Sequence, residues 1–279
     1  MESVSQQAAG PIVLDMVAAI VREQGFLGEI DGAIGDGDHG INMSKGFRLA
    51  GERLAGGEFG LAHGLAILGD TLLSDIGGSM GPLYGTFFTE MADALEGADR
   101  IDANRFASML RAGRETVVDL GGAKVGDKTL VDVLIPAEAA FNAARERQES
   151  FAGCLVAMKE AAAAGLESTR DMVAKIGRAS RLGERSRGTL DAGAASCSLL
   201  LATLADGLLR EMQREHPLNA PENVPENVPE TPRKEHRHER DRRPDHPSQP
   251  ASGDDARGRR VRAWRLPLRD GGCAPRRPR

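Results

Sequence analysis

Asp31-Gly32-Ala33-Ile34-Gly35-Asp36-Gly37-Asp38-His39-Gly40 places three carboxylates within eight residues and packs glycines between them. Glycine lets a backbone fold sharply enough to aim several short Asp side chains at one point. Hard divalent cations such as Mg²⁺ take oxygen ligands in a tight octahedron and keep room for phosphate oxygens and water. Asp and Gly are also the commonest turn residues, so Asp-Gly-Asp alone is more often a loop than a site. The register separates the alternatives. A Ca²⁺ loop counted from Asp36 puts Gly40 at its fifth position and Phe47 at its twelfth, where a bidentate Glu is required. Three carboxylates followed by His39 and Asn42 fit a Mg²⁺–phosphate clamp built from Asp31, Asp36 and Asp38.

Outward from this run, apolar residues recur at three- and four-residue spacing, the pattern of amphipathic helices. Helices are expected over 12–24, 42–55, 61–76, 82–95, 103–120, 130–147, 151–175 (with a break near Gly165) and 190–212. Asp102 is placed to cap the fifth. Alternating β-branched stretches that would mark strands are scarce. The fold class is therefore all-α, with eight helices joined by short connections in a mostly antiparallel bundle. The glycines gather in four connections, 35–40, 77–81, 121–126 and 177–193. These precede the second, fourth, sixth and eighth helices. In an up-down bundle every second connection lies at the same end, so four helix N-termini would converge on one site and attract an anion there.

Composition divides the chain. Residues 217–279 hold 15 Lys and Arg against 10 Asp and Glu, with many prolines, while residues 1–216 hold 21 against 31 and are rich in Ala, Gly and Leu. The expected organisation is a helical domain over 1–216 and a disordered Pro/Arg-rich tail over 217–279, which has too few clustered apolar residues to offset chain entropy. The tail's arginines are interleaved with acids and prolines and its one aromatic is Trp264, so no nucleic-acid binding is expected. Cys154, Cys197 and Cys273 have no metal or disulfide spacing, and the first two read as small core residues. The start has no basic region and no long apolar core, and no apolar run approaches a membrane span. The chain reads as cytoplasmic, with no membrane partner.

The remaining motifs sit at the glycine clusters. Gly77-Gly78-Ser79-Met80-Gly81-Pro82 is either a capping turn or a backbone cradle for phosphate. Gly126-Asp127-Lys128-Thr129 offers a cation, a hydroxyl and an acid at a helix start, but lacks the full Gly-x-x-x-x-Gly-Lys-Ser/Thr pattern. Arg178, flanked by small residues within an Arg-rich connection, is the best candidate to stabilise charge on a transferring phosphoryl group. Asp191-Ala192-Gly193 either caps the last helix or contacts a nucleotide. Tyr84 and His63 read as packing or surface residues.

Taken together, Asp31 with residues 34–43, Gly77 to Thr86, Gly126-Asp127-Lys128-Thr129, and Gly177-Arg178-Ala179-Ser180 with Leu182-Gly183-Glu184-Arg185-Ser186, resemble the L-subunit family of dihydroxyacetone kinases over about residues 8–214. The resemblance implies an eight-helix antiparallel barrel with a nucleotide site at one end. It implies two Mg²⁺ ions held by Asp31, Asp36 and Asp38. It implies ADP or ATP contacts from His39, Gly40, Ile41, Asn42, Ser79, Met80, Gly121, Leu130, Arg178, Asp191, Ala192 and Gly193, with Arg178 catalytic. The implied partners are a K subunit that holds dihydroxyacetone and a phosphotransferase-system M subunit that rephosphorylates retained ADP; a homodimer stays open. Alternatives are an ATP-dependent kinase subunit for another short ketose such as erythrulose, and a nucleotide-loaded regulator of a transcription factor.

Overall fold

The computed structural model describes residues 2–215. Helix dominates it. In chain order the helices are α1 (Gln6–Ala9), α2 (Ile12–Arg22), α3 (Gln24–Ile34), α4 (His39–Leu54), α5 (Leu61–Asp75), α6 (Met80–Asp93), α7 (Ala103–Gly121), α8 (Val131–Glu146), α9 (Phe151–Ser168) and α10 (Ala192–Glu215). The all-α expectation holds, and all eight expected helices are present. Two short strands, β1 (Ser3–Ser5) and β2 (Arg100–Asp102), pair antiparallel with Val4 opposite Ile101 and tie the chain's start to the α6–α7 connection.

Local chemistry sets the ends of α7. Asp102 accepts a hydrogen bond from the Arg105 N–H at 2.8 Å, as its position predicts. At the other end Gly122 takes a left-handed conformation and its N–H bonds the Val118 carbonyl. Two aromatic groups fill the interior. Tyr84, Phe87 and Phe88 of α6 pack with Phe47 of α4, and Phe106, Phe141 and Phe151 join α7, α8 and α9. Cys154 and Cys197 are buried in the same apolar interior.

Two differences from the sequence expectation have packing causes. The segment before the acidic run is helical (α3), although Gly25, Gly28 and Gly32 lower its intrinsic helix propensity. Close packing against α4 holds it: a Cβ on Gly40 would lie 2.0 Å from the Gln24 carbonyl oxygen and 2.7 Å from the Gly28 nitrogen. Helix α9 runs through Gly165 and stops at Ser168, followed by a 3₁₀ turn over Thr169–Asp171. A Cβ on Gly165 would lie 2.4 Å from the Asp132 carbonyl oxygen, so this glycine brings α9 against α8 and does not break the helix. Among the described residues, α10 is long and apolar enough to cross a membrane by length and composition, but it is mostly buried among the other helices. The expected domain boundary at 216 and the tail over 217–279 lie outside the described residues.

Candidate functional site

The acidic run begins in the last turn of α3. Asp31 projects from that turn, and Asp36 and Asp38 follow in the connection to α4. One carboxylate oxygen from each of the three lies within 4.8 Å of the others. Two glycines make this possible. Gly37, at φ +77°, reverses the chain between Asp36 and Asp38. A Cβ on Gly35 would lie 2.5 Å from Asp31 Oδ1, so any side chain there would displace that carboxylate. Asp31 Oδ2 also accepts from the His39 backbone N–H at 3.3 Å. Arg178 contacts Asp36 and approaches Asp38 at 3.9 Å. Three converging hard oxygen donors, open to a cavity, fit a divalent cation.

That cavity measures about 780 Å³ and is open to solvent. The starts of α4, α6, α8 and α10 all meet it, through His39, Met80, Leu130 and Ala192. The four glycine-rich connections therefore do converge at one end of the bundle. Helix N-termini present unpaired N–H groups and a partial positive charge, which suits phosphate oxygens. Ser79 precedes α6 but makes no capping hydrogen bond to it, so its hydroxyl is left to the cavity it lines. Asp191, by contrast, caps α10: its Oδ1 accepts from the Ala194 N–H at 2.7 Å. Burial raises the Asp191 carboxyl to about 6, against the lowering effect of the Ala194 bond and of Lys128.

A buried polar chain lies under the cavity floor. His39 Nε2 bonds Ser196 Oγ at 2.9 Å, and Ser196 Oγ bonds the Tyr84 hydroxyl at 2.7 Å. Tyr84 also donates to the Gly193 carbonyl at 3.1 Å. The chain thus joins the starts of α4 and α10 to α6. Burial lowers His39 to about 4, opposed by the nearby Asp31 charge, so its imidazole is neutral at pH 7. Burial raises the Tyr84 hydroxyl well above its usual range, so it remains a donor. Tyr84 packs as expected, and its hydroxyl adds a bond that the sequence could not place.

Most of the expected site residues come together. Asp31, Asp36, Asp38, His39 and Asn42 form one wall of the cavity, and Ser79 and Met80 a second. Gly121, Leu130, Arg178, Asp191, Ala192 and Gly193 complete it. Gly40 and Ile41 are outside the lining: Gly40 faces the α3 backbone, and Ile41 is 60% exposed. Lys128, which sequence reasoning left without a role, lies in the wall and is 2% exposed. Its lone signal was the cation at a glycine-marked helix start.

Residues 33–206 match the family model described as the DAK2 domain. The chain is 39% identical over 184 residues to the protein named PEP-dependent dihydroxyacetone kinase, ADP-binding subunit DhaL, of Escherichia coli K12, covering 66% of this chain and 88% of that one. It is 35% identical over 204 residues to the D-erythrulose kinase of Mycolicibacterium smegmatis, covering 72% of this chain but 35% of that protein. The crystal structure of the dihydroxyacetone kinase from C. freundii in complex with AMP-PNP and Mg²⁺ aligns with a TM-score of 0.54 at 27% identity, over 74% of this chain and 34% of that one. The chain thus spans most of the DhaL subunit and about a third of each larger kinase. A helical cavity of this geometry, with that extent of similarity, places the chain in the DAK2-domain family, on its DhaL branch.

Proposed function

We propose that this chain is the ADP-binding subunit of a cytoplasmic dihydroxyacetone kinase. It would present Mg²⁺-bound nucleotide to a separate K subunit that holds dihydroxyacetone, with ADP retained and rephosphorylated by a phosphotransferase-system M subunit. The observation that carries this reading is the meeting of three carboxylates with four helix starts in one open cavity. The alignment over 88% of the E. coli DhaL subunit supports the ADP-binding role.

Each part of the chain has a task in this scheme. Asp31, Asp36 and Asp38 hold two Mg²⁺ ions, which when bound neutralise phosphate charge. The starts of α4 and α6, with Asn42 and Ser79, receive phosphate oxygens. Leu130 and Asp191-Ala192-Gly193 form the wall for the nucleoside. The His39–Ser196–Tyr84 chain keeps the floor rigid. Arg178 is 61% exposed at the cavity and reaches the acidic wall, so its guanidinium can follow charge onto the transferring phosphoryl group. Phosphoryl transfer draws mostly on positioning and charge neutralisation, so the base for the sugar hydroxyl belongs on the subunit that holds the sugar.

Native mass spectrometry of the purified protein tests the first half of the proposal, with co-purifying ADP as the expected result. Addition of a K subunit and dihydroxyacetone tests the second, with a phosphoenolpyruvate relay or ATP as donor. A protein that neither retains nor binds Mg·ADP under saturating conditions would refute the assignment. Similarity to the D-erythrulose kinase supports a second reading, in which the K partner presents a four-carbon ketose. Replacing dihydroxyacetone by erythrulose in the same assay separates the two.

A further inference from the structure

Lys128 combines two costly features. It is 2% exposed, and its backbone sits at φ +65°. Among the described residues, one other non-glycine residue, Gln148, has positive φ. Glycine would occupy this conformation without steric penalty, and a buried ammonium is unfavourable unless it is paired. Strain of this kind persists where the surrounding structure requires it, most often at functional sites.

The partners of the ammonium show what it organises. Nζ donates to the Thr169 carbonyl at 2.6 Å and to the Thr189 carbonyl at 2.5 Å. Thr169 opens the turn after α9, and its Oγ1 accepts from the Asp191 N–H at 3.1 Å. Thr189 lies two residues before Asp191, the cap of α10. The turn that carries Lys128 is itself anchored, because the Asp132 carboxylate of α8 accepts from the Gly126 and Thr129 N–H groups. Burial lowers the pKa of the ammonium, the carboxylates of Asp191 and Asp132 oppose that shift, and Arg170 and Arg187 add to it. The result is a three-way junction between the start of α8, the end of α9 and the start of α10.

We propose that Lys128 is a positioning residue for the nucleoside half of the cavity. Its ammonium ties the Thr169 turn and residues 189–191 to the start of α8, and so holds Leu130 in register with Asp191-Ala192-Gly193. Its hydrogen bonds go to Thr169 and Thr189, away from Asp31, Asp36 and Asp38. The inference rests on the nucleotide reading above and deepens it by separating the two halves of the site.

Two titrations test it on the full chain. Mg·ADP binding is measured by calorimetry for the wild type, Lys128→Met and Lys128→Gly. Mn²⁺ binding without nucleotide is measured by electron paramagnetic resonance for the same proteins. Both variants should weaken Mg·ADP binding about tenfold or more, because the Thr189 carbonyl loses its bond to the ammonium, the Thr169 carbonyl keeps only the Met172 N–H, and the wall loosens. Mn²⁺ affinity should remain within about twofold of wild type, since the acidic wall is built from α3 and its loop (a factor well under the tenfold that 1.4 kcal/mol represents). Lys128→Gly relieves the backbone strain, so it would bind ADP like the wild type if the ammonium were incidental. Unchanged ADP affinity in the variants, or parallel losses of ADP and Mn²⁺, would overturn the inference alone. If neither variant folds, Lys128 supports the whole bundle and the local role falls. A wild type that does not bind Mg·ADP would overturn the nucleotide reading, and this inference with it.

Discussion

Asp36→Asn separates ion binding from folding. At the 4.8 Å spacing of the cluster, two unit charges repel by about 1 kcal/mol in water and by about 3 kcal/mol at an effective dielectric near 20. The side chain of Asp36 is 46% exposed, so the lower figure applies to it. The substitution relieves repulsion from Asp31 and Asp38 and loses the contact with Arg178, whose own side chain is 61% exposed. An exposed pair of this kind contributes about 0–1 kcal/mol, so the ligand-free protein should keep its stability to within about 1 kcal/mol. Ligand binding should behave differently. With Mg·ADP at 100 times its Kd, the wild type gains about 2.7 kcal/mol by mass action, which for a domain of this size is a rise in Tm of roughly 5–10 °C. A variant that binds about 100-fold more weakly gains only about 0.4 kcal/mol at the same concentration, or about 1 °C. Differential scanning calorimetry with and without Mg·ADP reads both numbers. A full-sized Tm rise in Asp36→Asn would refute the clamp, and a large loss of ligand-free stability would show that Asp36 acts mainly in folding.

Three further outcomes follow from the packing and the charges. Gly40→Ala should cost about 3 kcal/mol in urea unfolding, because the new Cβ meets the backbone of Gln24 and Gly28, which cannot rotate away; an unchanged midpoint would contradict the close α3–α4 crossing. Burial holds the Asp191 carboxyl near 6, above its unfolded range, so its protonation favours the folded state at low pH and that advantage is lost as pH rises through about 6. Asp191→Asn can still cap α10, and its stability relative to wild type should therefore improve by up to about 3 kcal/mol between pH 4 and pH 7.5 in the absence of nucleotide; a pH-independent difference would sink this account. Tyr84→Phe removes the hydroxyl bonded to Gly193 and Ser196 and should cost about 1–2 kcal/mol with a modest fall in ADP affinity, whereas an unchanged Tm would mean the buried chain contributes nothing.

Helix positions were largely legible because burial of an apolar stripe leaves a 3.6-residue period in the sequence. The period failed where glycines replaced apolar side chains. Residues 25–34 show no apolar period because Gly25, Gly28 and Gly32 carry no hydrophobic signal, and only the close approach of Gly40 on α4 to the Gln24 and Gly28 backbone shows how α3 packs. The same contact explains Gly40. The family resemblance implies a nucleotide contact at Gly40, and the structure adds that its missing Cβ serves the α3–α4 crossing.

For the site, the chain by itself set the donor groups: three carboxylates in a glycine-rich register, and four glycine clusters at alternate helix starts. Those features are local, set by side-chain type and spacing, and the bundle brings them to one end as the alternation required. Tertiary structure alone decided what links them. The bond from Lys128 to Thr169 spans 41 residues and that to Thr189 spans 61, while His39 meets Ser196 across 157. No local pattern encodes such pairings, because they arise only when packed helices bring distant turns within hydrogen-bonding distance.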